Sequence, residues 1–273
     1  MKISEKECRS ALNRSGIPGV DYCLNPYTGC EHGCVYCYAS FMKRFCGIED
    51  KWGSFVQVKS NFPARLAVQL QRCRPGRVML SSVTDPYQPL ERHYRLTRSC
   101  LGLLAEENFR VSILTKSDLV LQDLNLLKKI PDVEVGFTIT TADRDIARFL
   151  EPGAPSPERR FAALARLADA GIRTWVFIAP VVPGLGDTEA NLSAILEKAR
   201  RAGAREVDYD PLNFYPTSVA NLKSLFRKRW PRLFPFFQAA CEDQAGYRAH
   251  LSSLARELWF LYGFASTWEP DAG

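Results

Sequence analysis

At 273 residues, with 46% hydrophobic and 24% charged residues, the chain has the composition of a globular protein and can bury a core without disulfide staples. A formal net charge of +6 admits an anionic partner such as nucleic acid but does not demand one, and nine cysteines, an odd number, fit poorly with the closed disulfide frameworks of short secreted chains. No apolar h-region opens the sequence, and no apolar run approaches the roughly 18 residues of a membrane helix. The expectation is a cytoplasmic protein with reduced thiols and no membrane contact.

In chain order, short segments rich in β-branched and aromatic residues predict strands over Tyr22–Tyr27, Arg77–Ser82, Arg110–Lys116, Val133–Ile139, Thr174–Pro180 and Glu206–Leu212. Between them, LVLQDLNLLKK (Leu119–Lys129) predicts a helix. PERRFAALARLADA (Pro157–Ala170) predicts another, opening on proline and closing at Gly171. Asp187 is placed to cap a third helix over residues 188–202 that ends at Gly203.

Alternation of strand and helix implies parallel strands with crossover helices. Stretches such as VMLSS, VSILT and WVFIA are apolar on both faces, as in a doubly covered sheet. A partial barrel and a doubly wound sheet both satisfy this pattern, and both gather working groups at the C-terminal ends of the strands. Those ends read SSVTD, TKSD, TITTAD, APVVPG and DYDPLN. Each taken singly fits a cap or turn; as a set they point to one site. The predicted division is an N-terminal extension over residues 1–19, the α/β unit over 20–214, and a helical cap packed on it over 215–273. The cap contains a basic, aromatic stretch (Asn221–Phe234) and an amphipathic last helix (Arg248–Phe264).

The strongest chemical signal is GCEHGCVYCYA (Gly29–Ala39), with Cys30, Cys34 and Cys37 in C-x3-C-x2-C spacing. A short loop of this kind can turn three thiolates towards one point, and soft thiolates suit an iron–sulfur cluster or zinc. His32 inside the loop could supply a fourth zinc ligand, although paired C-x2-C is the usual zinc spacing. A cubane held by three cysteines leaves one iron open, where the amino and carboxylate groups of S-adenosylmethionine can chelate.

With an aromatic before its third cysteine, this motif resembles that of the radical S-adenosylmethionine superfamily. Within it, NPYTGCEHGCVYCYA (Asn25–Ala39), SVTDPYQPLE (Ser82–Glu91), LTKSDLVLQDLNLL (Leu114–Leu127), FLEPGAPSPERRFAALARLADAGI (Phe149–Ile172), FIAPVVPGLGD (Phe177–Asp187) and DPLNFYPTSVANLKSLFRKRWP (Asp210–Pro231) are similar to the spore photoproduct lyase branch. The resemblance implies a partial (β/α)6 barrel with a helical C-terminal extension, a [4Fe–4S] cluster, and S-adenosylmethionine as cosubstrate. It also implies an electron donor such as flavodoxin or ferredoxin. The implied reaction is reductive cleavage to a 5′-deoxyadenosyl radical that abstracts a substrate hydrogen.

By the same resemblance, Tyr36 lies against the cluster and the adenine end of the cosubstrate. Ser82, Thr84 and Asp85 match the place where the methionine amino group is held, although a strand-end turn also explains Asp85-Pro86. Lys116, at a strand end, can pair with the methionine carboxylate or stay solvated, and Thr138 and Thr140 can hydrogen-bond the ribose or reflect only the β-propensity of threonine. Tyr38 matches a tyrosine that helps return the hydrogen. One departure stands out: the lyases carry a hydrogen-donating cysteine where this chain has Ser82, and an alcohol O–H is a poor donor to carbon radicals. Thymine-dimer repair therefore does not carry over by similarity. Cys8 and Cys23 are the remaining thiols to place relative to the site. The basic segment Lys223–Arg232, with Phe226 and Trp230, could contact phosphates and stack a base, or form a solvated helix face. Three readings stay open: a radical enzyme on a nucleic-acid lesion or base, one on a small molecule or peptide, and a non-catalytic iron–sulfur or zinc module.

Overall fold

The computed structural model describes residues 1–265. Its strands are β1 Lys2–Lys6, β2 Leu12–Arg14, β3 Tyr22–Leu24, β4 Tyr27–Thr28, β5 Phe55–Lys59, β6 Arg77–Leu80, β7 Arg110–Thr115, β8 Val133–Thr138, β9 Arg173–Val181 and β10 Glu206–Pro211. Its α-helices are α1 Met42–Cys46, α2 Phe62–Leu70, α3 Glu91–Tyr94, α4 Leu96–Ala105, α5 Leu124–Leu127, α6 Arg144–Leu150, α7 Pro157–Asp169, α8 Glu189–Arg201, α9 Pro216–Arg229, α10 Phe234–Glu242 and α11 Gln244–Leu261.

The main sheet has the order β10-β9-β8-β7-β6-β3-β2. From β3 to β10 all neighbours are parallel; only the edge strand β2 runs antiparallel. A doubly wound sheet requires a point where the strand order reverses. Here the order is sequential, so crossovers of one hand place their helices on one face and the sheet curls. The result is the partial (β/α)6 barrel with helices following the core. All six residues of β8 are buried, as a doubly covered strand requires. β9 instead alternates between buried and half-buried, because its second face, including Phe177, looks into the barrel's interior space.

The predicted strand Tyr22–Tyr27 is broken. β3 stays in the barrel, while β4 leaves it to pair with β5 in a second sheet of order β1-β5-β4. The break falls at Asn25-Pro26. Proline has no N–H to give a ladder, and the Asn25 side chain instead accepts from the backbone N–H groups of Ser82 and Val83 at 3.0 and 3.1 Å. The predicted helix Leu119–Lys129 is a 3-10 turn, Asp118–Asp123, followed by the short α5. Asp123 is drawn inward to accept from Tyr87 Oη at 3.0 Å and from Arg98, which interrupts the regular ladder. α7 forms as predicted. α8 starts one residue later than expected: Thr188 is the cap, accepting from the Asn191 N–H at 3.2 Å, while Asp187 takes the Gly184 N–H at 2.7 Å.

After β10 the described residues are mainly helical. α9 and α10 pack together, and α11 packs on α8. Trp259 of α11 is buried, and its indole N–H donates to the Val207 carbonyl at 2.5 Å, covering an edge strand that would otherwise present free backbone groups. Among the described residues, no helix is long and apolar enough to cross a membrane.

Candidate active site

The cysteine loop follows β4 and is shaped by what touches its backbone. Gly29 has φ +91°, and a Cβ there would stand 2.5 Å from the Phe55 carbonyl oxygen, so only glycine fits. Gly153 closes on the loop from the far side: its N–H donates to the His32 carbonyl at 3.0 Å, and a Cβ would stand 2.3 Å from the Glu31 carbonyl oxygen. The Val35 N–H donates to Leu150 at 2.9 Å, Gln88 accepts from the Glu31 N–H at 3.0 Å, and the Thr84 hydroxyl donates to Gly29 at 2.6 Å. Segments far apart in sequence thus fix one short loop.

Cys30, Cys34 and Cys37 line one cavity of about 400 Å³ at the C-terminal end of the barrel. Each of the polar strand ends reaches it: Ser81 to Asp85, Thr115 with Lys116, Thr138, Ala179, and Asp210 with Asn213. Burial pushes the Cys34 and Cys37 thiols up, to about 11 and about 12. A metal bound here would displace their protons.

Behind the loop lies a buried charge network. Glu151 accepts from Arg160, from the Tyr36 hydroxyl, and from Thr140 at 3.1 Å, with Lys116 Nζ 3.9 Å away. Burial alone would raise the Glu151 carboxyl, but Arg160 and Lys116 outweigh it and hold the group below its ordinary value. Burial would lower Lys116, but Cys34 and Glu151 outweigh that. The result is a fixed ammonium at the cavity wall, 5.7 Å from the centre of the Tyr36 ring.

The expected cosubstrate residues divide into lined and spent. Tyr36, Ser82, Thr84, Asp85, Lys116 and Thr138 line the cavity; Thr140 does not, being held by Tyr36, Glu151 and the Ala179 carbonyl. Asp85 is already engaged by Thr115 at 2.6 Å, the Tyr87 N–H at 2.9 Å and the Lys116 N–H at 2.8 Å. Burial would raise its carboxyl, but the neighbouring His32 and these donors hold it at about 2. Ser82 is tied to Asn25 at 3.2 Å. Tyr38, 41% exposed, stands on the rim with its hydroxyl donating to the Ser82 carbonyl. Cys23 lies beneath Ser82 and Val83 in a neighbouring cavity, whereas Cys8 packs against the main core.

Three buried polar groups on this cavity have no hydrogen-bond partner: the His32 ring nitrogens, Trp52 Nε1 and Ser81 Oγ. His32 Nδ1 is 3.3 Å from Asp85 Oδ2, a charge contact without hydrogen-bond alignment. Buried unsatisfied groups are costly, and a run of them around one space fits a polar ligand. Ser81 also has φ +66°, rare for a residue with a side chain. Ser81 lay in the SSVTD strand end but was not singled out there, and no local pattern marked Trp52. Glu151 and Arg160 lay within a quoted stretch, but nothing local paired them.

The donor chemistry fits an iron–sulfur cluster. Among the described residues, no group of three or more His, Cys, Asp or Glu side chains converges as a single-ion site. A cubane asks for no such convergence, since each thiolate holds a different iron.

A family model described as the radical SAM superfamily matches residues 24–202, more than half of the chain. The chain belongs to the radical SAM superfamily. An uncharacterised protein of Methanocaldococcus jannaschii is 40% identical over 189 residues, covering 69% of this chain and 71% of that protein. A radical SAM Nα-GlyT isomerase of Pseudomonas phage M6 is 27% identical over 227 residues, covering 81% of this chain but 46% of the isomerase. Spore photoproduct lyase complexed with dinucleoside spore photoproduct has the same fold, with a TM-score of 0.63 at 18% identity, over 84% of this chain and 66% of the lyase chain. This radical SAM protein is thus an enzyme of lyase-like fold, and its relatives extend beyond the part it matches.

Proposed function

We propose that Cys30, Cys34 and Cys37 hold a [4Fe–4S] cluster, that S-adenosylmethionine fills the cavity beside them, and that the substrate is a nucleic-acid base presented at the rim. When bound, the cluster and cosubstrate supply one-electron cleavage of the C5′–S bond, giving methionine and a 5′-deoxyadenosyl radical that abstracts hydrogen. The observation that carries the reading is the coincidence, around one cavity, of the three thiols, the Lys116 ammonium and the unpartnered groups of Trp52 and Ser81.

The chain's own residues divide the work. Lys116 receives the methionine carboxylate as a charge-assisted contact. Because Asp85 and Ser82 are already bonded, the unpartnered Ser81 hydroxyl accepts from the methionine ammonium, and Asp85 contributes its negative charge nearby. Glu151 and Arg160 position Tyr36 and Lys116. A cavity of about 400 Å³ takes one ligand of drug size, so the substrate meets the cosubstrate at the mouth, beside Tyr38, Asp210 and Asn213. A substrate reached only at a rim suits a base displayed on a larger molecule. The dinucleoside bound to spore photoproduct lyase supports the same class. With serine at position 82 in place of a thiol, the final hydrogen donor differs from that of dimer repair.

The test is anaerobic reconstitution followed by dithionite and S-adenosylmethionine. The expected result is a brown protein with about four irons per chain that releases 5′-deoxyadenosine. Cys34→Ala loses both colour and product. Lys116→Met keeps the iron but weakens S-adenosylmethionine by about 10- to 100-fold, the loss of one charged hydrogen bond. Product from Cys34→Ala contradicts the ligand assignment. Binding of single-stranded oligonucleotides that weakens with added salt supports the substrate class, and binding that ignores salt opposes it.

A further inference from the structure

Cys34, Cys37 and Trp52 line two cavities at once. One, of about 400 Å³, is the proposed cosubstrate site; the other, of about 670 Å³, has exposed residues such as Arg44 and Lys228 in its lining. The indole thus stands with two of the three proposed cluster ligands in the partition between them. The chain sets its place. Trp52 lies in a turn that closes with the Ser54 N–H on the Lys51 carbonyl at 3.0 Å. Gly53 (φ +88°) meets Gly33 of the cysteine loop so closely that a Cβ on Gly53 would stand 2.6 Å from the Gly33 Cα, so the turn is pressed directly on the loop. Phe55 of β5 meets the indole edge to face, with ring centres 5.9 Å apart, and fixes its tilt.

In this setting Trp52 Nε1 is buried and has no partner. An indole nitrogen can only donate, and a buried donor left unpaired is costly. Its acceptor therefore arrives with what fills the space beside it, and the two residues that accompany it in both cavities are thiols. We infer that the Trp52 N–H donates to a sulfur of the [4Fe–4S] cluster, and that the ring closes the cluster off from the outer cavity. This rests on the cluster assignment proposed above. Reduction adds negative charge that spreads to the sulfurs, so a donor to sulfur strengthens on reduction and raises the potential. Trp52 thereby sets how readily the cluster takes its electron.

Two variants separate the two parts of the inference. Trp52→Phe keeps an aromatic partition and loses the N–H; Trp52→Ala loses both. The midpoint potential of the reconstituted cluster is read without S-adenosylmethionine, by redox titration of its paramagnetic resonance signal. In both variants the equilibrium constant for reduction should fall about tenfold, a shift of about 59 mV for one electron. Iron release to a chelator should speed several-fold in Trp52→Ala and stay unchanged in Trp52→Phe. Trp175→Phe is the control: that indole N–H is also buried without a partner, but it lines neither cavity, and its loss should leave the potential alone. Wild-type protein carrying 15N-indole tryptophan should show a weak nitrogen coupling to the reduced cluster that Trp52→Phe lacks. A potential unchanged in Trp52→Phe, or lowered equally by Trp175→Phe, overturns the hydrogen bond. An unchanged potential with weakened S-adenosylmethionine binding also overturns it, because the N–H then serves the cosubstrate. Absence of the nitrogen coupling in wild-type protein overturns it whether or not the variants fold. Iron release from Trp52→Ala at the wild-type rate overturns the closing role. Wild-type protein that takes up no iron indicts the cluster assignment instead.

Discussion

Two buried carboxylates, at opposite ends of the same barrel, each face two cations. Glu134, at the start of β8, accepts from Arg77, from Arg173 at 2.5 Å and from the Ser112 hydroxyl at 2.8 Å; the side chains of both arginines are well exposed, at 38% and 42%. Glu151, beyond the other end of that strand, faces Arg160 and Lys116, whose side chains are 1% and 15% exposed, with Tyr36 and Thr140 as hydroxyl donors. The donor sets are nearly the same. Solvent reaches one and not the other. At the base the charges tie β6, β8 and β9 together, and water shares the load. At the mouth the same chemistry, sealed from water, fixes an ammonium and a phenol against the cysteine loop.

The comparison breaks most visibly at Glu151. Glu151→Ala strands a buried arginine and should cost about 3–5 kcal/mol of stability. It should also reduce 5′-deoxyadenosine formation, because Tyr36 and Lys116 lose their anchor. Denaturant unfolding of the reconstituted variant, paired with product release by chromatography, checks both. A variant as stable and active as the parent would mean that the network is ornamental.

A third carboxylate sharpens the contrast through pH. Glu91 is buried beside the Tyr27 hydroxyl, and burial raises its carboxyl from 4.5 to about 7. The protonated acid is the form the fold prefers. Its contribution is complete below about pH 4.5 and is lost as pH rises through about 7, a loss of about 3 kcal/mol at most. Glu91→Gln should flatten that part of the stability profile, measured as thermal unfolding midpoints between pH 5 and pH 8 (roughly the span of this titration).

The smallest effect belongs to the base. Arg77 and Arg173, with Ser112, hold Glu134 below its ordinary value against the opposing pull of burial. Its stabilisation is therefore present above about pH 4.5 and fades as pH falls, the reverse of Glu91. Glu134→Gln should cost about 1 kcal/mol at neutral pH and leave 5′-deoxyadenosine formation unchanged. Altered activity would show that the base and the mouth are coupled through β8.

The parallel α/β core was legible because its strands are short apolar runs with polar ends, and those ends do meet at one cavity; its closure into a partial barrel was implied only by the family resemblance. The cysteine loop was legible from its C-x3-C-x2-C spacing, and its three thiols line one cavity. The sheet of β1, β4 and β5 was not. β1 is exposed along its whole length and so carries no pattern, and its partner β5 lies some fifty residues away. Pro26 held the clue to the broken strand, through its missing N–H. The helical reading of Leu119–Lys129 failed because a periodic leucine run says nothing of where Asp123 is drawn. The unpartnered Ser81 hydroxyl and the Glu151 network arise from the curvature of the barrel, which brings together residues that no local window contains.

The most direct measurement is the electron paramagnetic resonance spectrum of the dithionite-reduced, iron-reconstituted protein, recorded before and after S-adenosylmethionine is added. In the proposed assignment three thiolates leave one iron without a protein ligand, so the reduced-cluster signal should change when the cosubstrate is added, and no such signal should arise in Cys34→Ala. A spectrum identical with and without S-adenosylmethionine would contradict the account.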